Sequence, residues 1–564
     1  MIALRYHDAT KHHFGRFARS LGYLDWTTQP DPFRTYAGAD LIALPREPAA
    51  SGVSFGALYE PPASPATIDL ASVGDFLRCA LGLSAWKSAG SSRWALRVNP
   101  SSGNLHPTEG HVVWNGRIAH YAPREHHLEV RGVLDAHAWG EWTAGEPGFL
   151  LVLSSIHWRE AWKYGERAFR YCQHDVGHAL GAARYAAALL GWQAALLPRW
   201  SGDDMAQLLG FLPGRALPDA VEAPAEPEEP DCVLAVTAGS FARSWAQRAP
   251  AGLLAATARV TWRGRPNRLS PAHQEWPIIE QVTVSTRSPG GALPDGVVPD
   301  GAVPDGALPD GAVQDAPVSG RSLPSDTDAP LGAFADLQAT ADVDARPARS
   351  VILTRRSAVA FDGRTSTTRA SLHRMLRRLQ PGRPPWDAWP WRPQVHLGLF
   401  VHRVEDLVPG LYVWCREDSA VPDLMGAMRP EFLWERVGDD PLYLLAPFDV
   451  RGGARRLSCD QDIAADGYLS LAMLARFEPV LRADGAWAYR RLFWECGLIG
   501  QVLYLEAEAR GARGTGIGCF FDDPVHEVFG LSGYDWQSLY HFSMGVPVED
   551  RRLETTPGYD WERL

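Results

Sequence analysis

A Pro-Asp-Gly repeat just past the middle of the chain divides it into two parts. Residues 292–311 read ALPDG, VVPDG, AVPDG and ALPDG in succession, and the pattern then decays through AVQDA. Each unit supplies turn residues without an apolar face, so the segment cannot bury enough surface to offset the entropy lost on ordering. We predict a flexible linker over 287–345, between an N-terminal domain at 1–245 with a connecting segment at 246–286 and a C-terminal domain at 346–564.

The composition excludes several classes of protein. Hydrophobic residues make up 46% and charged residues 21% of the 564 residues, as in ordinary globular proteins. The net charge of −11 without a basic run argues against a nucleic-acid or anionic-membrane partner. No apolar stretch reaches the roughly 18 residues of a membrane span, and the N-terminus carries no signal-peptide pattern. Seven scattered cysteines without a C-x-x-C pair predict a reducing, cytoplasmic location.

The two parts share a layout. Each has a long Ala/Leu-rich helix, predicted at 175–192 and 489–511, that ends at a glycine suited to a left-handed C-cap. Runs fit for strands follow at 232–239 and 538–547. These elements predict two tandem α+β domains, although two unrelated α/β domains would also fit the composition. Small residues on one face of each helix suit close helix packing: Gly177, Gly181, Ala188, Gly497 and Gly500.

The stretch RVNPSSGNLHPTEGH, Arg97–His111, concentrates groups that carry chemistry. Its H-x-x-E-x-H spacing, interrupted by Pro107, matches no helical zinc motif, so we predict no metal site. A nucleophilic serine lacks the G-x-S-x-G context. A cofactor loop remains, in which a proline fixes the backbone, hydroxyls and an amide offer hydrogen bonds, and a glycine permits close approach. Taken alone, the loop equally fits a capped turn. The candidate binding residues are Pro100, Ser101, Ser102 and Asn104.

Three segments of the C-terminal part predict a binding site, two of them for a phosphate group and one for a ligand that lies close to the backbone. Arg355, Arg356 and Ser357 place two guanidiniums beside a hydroxyl, a set suited to phosphate, with a solvated basic turn as the alternative. The sequence GARGTGIGCFFDD at 511–523 is a glycine-rich turn after a helix. Arg552, close to the end of the chain, is a further candidate phosphate donor.

In combination these motifs resemble the nitroreductase-like FMN flavoproteins. RVNPSSGNLHPTEGHVV, AWKYGERAFRY and VGHALGAARYAAALLGW are similar to the SagB-type dehydrogenase branch, which includes thiazoline/oxazoline oxidases of peptide natural-product maturation. RRSAVAFDGRTS and GTGIGCFFDDPVHEVFGLSG resemble the second domain of tandem members. The resemblance implies an α+β fold, a mixed sheet flanked by helices, and a dimer with FMN at the subunit interface. Two tandem domains would then form a pseudo-dimer, acting as a monomer or as a homodimer of such chains.

Each half departs from the family pattern in a complementary way. The N-terminal half has the Pro-Ser-Ser-Gly-Asn loop without an Arg-Arg-Ser motif, whereas the C-terminal half has Arg-Arg-Ser but WPWRPQVHLGLF where that loop would stand. In the family, these two elements reach one FMN from different subunits. The resemblance therefore implies one composite FMN site per chain. It implies that Arg355, Arg356, Ser357 and Arg552 bind the phosphate. The isoalloxazine ring would contact Pro100, Ser101, Ser102 and Asn104, and Gly516, Ile517 and Gly518 would lie near the ring.

Lys163 and Tyr164 are the candidate catalytic residues. Azoline oxidases carry a Lys-Tyr pair, and a buried amine beside a phenol suits removal of a substrate proton. The alternative is a surface lysine and a packing tyrosine. We therefore expect an FMN-dependent dehydrogenase or oxidase acting on a small molecule or peptide heterocycle. Two other functions stay open: an NAD(P)H-dependent nitro or quinone reductase, and a flavin- or peptide-binding scaffold without turnover.

Overall fold

The computed structural model describes residues 1–49, 52–61, 64–211, 226–291 and 340–563. The Pro-Asp-Gly repeat and residues 292–339 of the predicted linker lie outside these ranges. The helices are α1 Ile2–Ala9, α2 Leu70–Ala80, α3 Ala136–Thr143, α4 His157–Tyr164, α5 Ala168–Leu189, α6 Gly202–Leu209, α7 Ala242–Ala246, α8 Ala251–Thr257, α9 Pro277–Ser285, α10 Thr340–Ala345, α11 Ala348–Thr354, α12 Arg369–Arg377, α13 Val421–Ala427, α14 Arg451–Leu457, α15 Ile463–Asp466, α16 Glu478–Asp484, α17 Ala488–Ala509 and α18 Asp522–Phe529.

The strands form two large sheets, one in each half. They are β1 Tyr36–Ala37, β2 Asp40–Ala43, β3 Leu83–Ala89, β4 Ser92–Arg97, β5 Thr108–Trp114, β6 Arg117–Ala122, β7 His127–Val133, β8 Gly148–Ser155, β9 Gln193–Leu196, β10 Glu229–Thr237, β11 Arg265–Pro266, β12 Val395–Val401, β13 Gly410–Trp414, β14 Glu435–Arg436, β15 Leu442–Pro447, β16 Leu469–Arg476, β17 Arg513–Ile517, β18 Trp536–Gly545 and β19 Glu554–Pro557.

The two seven-stranded sheets have closely related topologies. Their orders are β2-β7-β6-β5-β8-β10-β9 and β14-β15-β13-β12-β16-β18-β17. When the first strand of each order is set aside, the chain fills the remaining six positions of both sheets in the same order. The pairings between these strands are antiparallel, and the parallel component is confined to bridges such as Ser357–Gly514 at the β17 edge. The predicted α+β class in two similar halves is confirmed.

Helices α5 and α17 pack against each other where the halves meet. They are buried on nearly all sides, because Ala, Leu and aromatic residues cover more than one face. A Cβ on Gly177 would lie 2.8 Å from the Cα of Gly497, so only glycine permits this approach. Gly191 and Gly511, just past the two helix ends, both have φ of 71°, as the predicted left-handed caps require. The predicted packing role is confirmed for Gly177, Gly181, Gly497 and Gly500, where an added Cβ would meet the facing helix.

The halves share one large apolar cluster, which extends from Tyr6 and Phe76 to Leu505 and Phe542. The cluster is shared because α5 and α17 are buried on nearly all sides and must be covered from both halves. Smaller clusters lie on the outer face of each sheet. No helix within the described ranges is both long and apolar enough to cross a membrane.

Both ends of the chain contact the opposite half. His7 Nε2 in α1 lies 3.0 Å from Gln537 Oε1, and Lys11 forms a 2.8 Å ion pair with Asp523. At the other end, β19 pairs with β3 and completes a three-stranded sheet with β4. The described margins of the predicted linker are ordered: Arg287 binds Glu229, and α10 covers 340–345. The domain boundaries themselves stay a prediction.

Candidate functional site

A cleft opens where the two halves meet. Pro100, Ser101 and Asn104 line it from the N-terminal half, while Arg355, Arg356 and Ser357 line it from the C-terminal half. The two groups are roughly 250 residues apart in sequence. The structure thus brings the two predicted motifs to one place.

Residues 100–104 form a tight turn between β4 and β5. Gly103 and Asn104 both have positive φ, 64° and 57°, within the short 3-10 turn at Ser102–Asn104. The turn is closed by Ser101 Oγ, which accepts a 2.8 Å hydrogen bond from the amide of His106. A rigid backbone of this kind presents hydroxyl and amide groups at fixed positions. Ser102 does not line the cleft; its amide faces inward, 3.4 Å from Asp175 Oδ1.

Two buried carboxyl groups lie beneath this turn. Ser101 Oγ is 3.4 Å from Glu160 Oε1, on α4, and Asp175 lies on α5. Burial raises the pKa of both carboxyl groups well above their usual values, and the charge of Asp175 raises that of Glu160 further. Glu160 Oε2 and Asp175 Oδ2 have no hydrogen-bond partner in the described structure. Burial of two neighbouring carboxyl groups without a cation bound to either free oxygen thus favours their protonated forms.

Lys163 and Tyr164 contact the turn at Gly103. A Cβ added to Gly103 would lie 3.0 Å from Lys163 Nζ and 2.8 Å from Tyr164 Oη. Lys163 Nζ stands 5.2 Å from the centre of the Tyr164 ring. Burial and the neighbouring Glu160 raise the pKa of the Tyr164 phenol well above its usual value. The predicted catalytic pair adjoins the predicted binding loop without lining the cleft.

Arg355 and Arg356 join the halves through backbone carbonyls. Arg355 is 4% exposed, and its Nη2 donates to the carbonyls of Arg97 and Val98 at 3.1 and 3.2 Å. Arg356 Nη2 donates to the carbonyl of Ser84 at 3.0 Å. Burial and the charge of Arg355 lower the pKa of Arg356 to about 10, so the Arg356 guanidinium remains positive at neutral pH.

The cleft is positively charged. Lys87, Arg97, Arg355 and Arg356 line it, and no carboxylate occurs among its described lining residues. Arg355 Nε is buried without a hydrogen-bond partner. Cations concentrated in a partly dehydrated groove favour an anion, and guanidinium and hydroxyl donors suit phosphate. The donor set therefore fits the phosphate end of a flavin mononucleotide.

The glycine-rich strand β17 adjoins the cleft through Tyr504. The Tyr504 hydroxyl lies 3.0 Å from Ser357 Oγ and accepts a 2.9 Å hydrogen bond from the Gly516 amide. A Cβ on Gly516 would overlap the Tyr540 hydroxyl, and one on Gly518 would overlap the Tyr171 ring. These glycines thus lie against tyrosines, whereas the Ile517 side chain belongs to the outer core of the C-terminal half.

Arg552 lies at the surface, outside the cleft. Its side chain is 87% exposed and forms a 2.7 Å ion pair with Asp550. The next residue, Leu553, does line the cleft.

The histidines and glutamate that follow the turn are packed into the fold. Glu109 contacts Arg159 and accepts a 3.0 Å hydrogen bond from His120, and His111 Nε2 lies 2.6 Å from Glu228 Oε1. His106 Nε2 contacts the carbonyl of Ala95 at 3.1 Å. Among the described residues, no group of His, Cys, Asp and Glu is arranged to hold a metal ion.

Sequence reasoning missed four residues at or beneath the cleft: Lys87, Glu160, Asp175 and Tyr504. Lys87 carries a usable signal, since it is a lone charge in the strand run LSAWKSA. Asp175 stands in α5, a helix rich in Ala, Leu and aromatic residues, which marks it as a buried charge. Glu160 has no such signal, because α4 (HWREAWKY) also carries Arg159 and Lys163. Tyr504 has no local signal, because its role depends on the contact of α17 with Ser357 and Gly516.

Comparison with known proteins agrees with this fold. Residues 429–546 match the Nitroreductase family model. A crystal structure of a candidate nitroreductase from Anabaena variabilis is 20% identical, covers 97% of this chain and 99% of its own, and gives a TM-score of 0.64. This likeness along the whole chain shows the nitroreductase fold.

Two further likenesses are weak. A candidate nitroreductase from Ralstonia eutropha is 15% identical over 38% of this chain and 96% of its own, with a TM-score of 0.27. The Escherichia coli microcin synthetase McbBCD complex is 16% identical over 35% of this chain and 70% of the matched chain, with a TM-score of 0.26. No curated protein matches the sequence.

Proposed function

We propose that the chain is an FMN-dependent oxidoreductase with one composite FMN site between its halves. The observation that carries this proposal is the cleft itself, where Ser101 and Asn104 from one half meet Arg356 and Ser357 from the other. The nitroreductase fold and the family match over 429–546 support the class of activity. Because one chain supplies both loops, it acts as a pseudo-dimer and needs no second copy to complete the site.

The residues of the cleft divide into two roles. Lys87, Arg356 and Ser357 would hold the phosphate through charge and hydrogen bonds, and Arg355 keeps the two halves in register. Pro100, Ser101 and Asn104 would contact the ring system from a rigid turn. FMN, when bound, supplies hydride acceptance and donation.

The chain also provides groups that hold protons beside the loop. Tyr164 keeps its phenol proton at neutral pH, because burial and the neighbouring Glu160 raise its pKa. The Glu160–Asp175 pair, whose pKa values are raised by burial, would hold a further proton beneath Ser101 and Ser102. Together with Lys163, these groups would exchange a proton with a substrate bound at the turn.

We place the substrate among peptide or small-molecule heterocycles of the azoline type. This finer proposal rests on the resemblance of residues 97–113 and of Lys163-Tyr164 to the SagB-type branch, and on the contact of both side chains with Gly103. The alternative is NAD(P)H-dependent reduction of nitro compounds or quinones. Anaerobic mixing with NADH or NADPH separates the two: rapid bleaching of the flavin spectrum would favour the reductase.

Flavin content tests the composite site. We expect the purified protein to carry one FMN per chain, and the double variant Arg355→Ala/Arg356→Ala to lose it. Lys87→Met, which leaves the inter-half hydrogen bonds of both arginines in place, should weaken FMN binding about tenfold, the loss of one charge-assisted contact. Arg451→Ala is the control, because Arg451 is an exposed arginine that pairs with Asp449. Two FMN per chain, or full retention by the double variant, would contradict the proposal.

A scaffold without turnover is the second candidate. It is favoured by the close contacts of Tyr540 with Gly516 and of Tyr171 with Gly518, which cover the glycine-rich strand. A peptide-binding scaffold predicts no flavin after purification and no uptake of added FMN, whereas a flavin-binding scaffold predicts bound FMN without turnover. Reconstitution with excess FMN followed by a visible spectrum distinguishes the two.

A further inference from the structure

Two cysteines from separate segments of the C-terminal half meet beside the glycine-rich strand. Cys459 follows α14, Cys519 follows Gly518, and their Sγ atoms lie 2.7 Å apart. The other five cysteines of the chain are buried, whereas these two are partly exposed. Reagents in solution can therefore reach the two thiols that are close enough to react with each other.

The two cysteine segments are held together by hydrogen bonds that do not involve the sulfurs. Gln461 Nε2 donates to the carbonyls of Ser458 at 2.7 Å and Cys519 at 3.2 Å, and the Phe521 amide donates to the carbonyl of Leu457 at 2.8 Å. Cys459 adopts a left-handed φ of 56°, which turns the chain sharply after the helix. The segments around residues 459 and 519 are thus fixed together, and the thiols meet without rearrangement of the fold.

The surroundings make the two sulfurs unequal. The sulfur–sulfur hydrogen bond lowers the pKa of Cys519 to about 5, although burial acts against it, and His12 and Arg167 lower it further. The same hydrogen bond raises the pKa of Cys459. Arg167 is fixed there, since its Nη2 donates to the carbonyl of Gly518 at 3.1 Å. Cys519 is therefore the sulfur that ionises more readily and Cys459 the one that keeps its proton, the asymmetry of an attacking and a resolving cysteine.

We infer that Cys459 and Cys519 form a redox-active dithiol that reduces small-molecule disulfides. Cys519 Sγ attacks one sulfur of the disulfide, breaks its S–S bond and forms a mixed disulfide, and the first product leaves as a thiolate. Cys459 then gives its proton to water and attacks Cys519 Sγ, which releases the second thiolate. Both products take up protons from water. One external disulfide is reduced by two electrons, and the protein dithiol is oxidised to a disulfide.

This site is separate from the FMN cleft. Two tyrosines stand between them: Tyr171 covers Gly518, and the centre of its ring lies 4.5 Å from that of Tyr164, which contacts Gly103. The exchange needs no flavin. Protein stripped of FMN should therefore react like the untreated protein, and the test stands whether or not the proposed flavin function holds.

Mass spectrometry of the full-length protein tests the proposal. Reduced protein treated with oxidised glutathione should lose two hydrogens and yield a peptide linking Cys459 to Cys519. Cys519→Ser should react at least about tenfold more slowly, and Cys459→Ser should stop with one glutathionyl group on Cys519. Cys415→Ser, which removes a buried thiol, should behave as wild type. Absence of the 459–519 link in wild type, or an unchanged rate in Cys519→Ser, would overturn the proposal.

The pH dependence of the reaction gives a second test. A thiol with an ordinary pKa near 8.5 loses about tenfold in rate for each pH unit below it. Because the pKa of Cys519 is about 5, the reaction of wild type should stay nearly constant between pH 8 and pH 6. A tenfold fall per pH unit across that range would show that Cys519 is not the attacking thiolate.

Discussion

Single residues at the cleft differ in how far the sequence reveals them. Pro100, Ser101, Arg355 and Arg356 stand in short motifs whose chemistry is local, so they are predictable one segment at a time. The contribution of Asp175 comes from its position beneath the turn, which only the packing of α5 determines. Sequence patterns identify the residues that would contact a ligand more readily than they identify the residues that support the binding turn.

His120 offers a residue-scale test of the buried charge network behind the turn. Burial alone would lower the pKa of His120, but hydrogen bonds to Glu109 and Glu129 and their charges raise it. A raised folded-state pKa stabilises the fold below the unfolded pKa of about 6.5, and the effect is lost as pH rises through the folded value. We therefore expect the free energy of unfolding to fall as pH rises above about 6.5.

The variant His120→Gln should remove this pH dependence. It should also lower the free energy of unfolding at pH 6 by about 3 kcal/mol, because Glu109 and Glu129 lose a buried charged partner. Urea denaturation at pH 6 and pH 9 measures both effects. His137→Gln is the control, since His137 is an exposed histidine of α3. If the free energy of unfolding of His120→Gln depended on pH as strongly as that of wild type, the effect would belong to another group.

Elements were predicted best where the chain carries its own signals. The glycines that end α5 and α17, and the small residues on one face of each, predict long helices that pack closely, and the structure has them. Strand β19 is different: its residues, ETTP, contain no strand pattern, and they pair only because β3 offers a free edge in the other half. Pairing across such a sequence distance cannot be read from a local segment.

The crossing of α5 and α17 supplies an element-scale prediction. Gly177→Ala would place a methyl group against the backbone of residues 494–497, so we expect a loss of about 1–3 kcal/mol in the free energy of unfolding. Gly140→Ala is matched to it: Gly140 also lies inside a helix, but a Cβ there meets no atom within 4 Å. That control should gain about 0.5–1 kcal/mol from helix propensity. If chemical denaturation gave the same change in the free energy of unfolding for Gly177→Ala and Gly140→Ala, the close crossing would be disproved.

For the whole molecule, the sequence predicts the division into two halves but not how closely they interlock. Arg170 and Asp522 form a buried 2.7 Å ion pair across the halves, and Arg490 pairs with Asp231 at 2.9 Å. The shared apolar cluster and the exchanged chain ends add to these contacts. The contacts between the halves, more than the covalent connection, therefore determine their association.

Cutting the chain within 292–311 tests that conclusion. A specific protease site placed in the repeat should be cleavable, and the two fragments should remain together in gel filtration, because the inter-half core and ion pairs do not depend on the connection. Bound flavin should stay with the complex, since Ser101 and Asn104 reach the cleft from one fragment and Arg356 and Ser357 from the other. The uncut protein with the same insertion is the reference. Separation into two peaks would mean that the connection holds the halves together, and a single fragment that retained all the flavin would refute a site built from both.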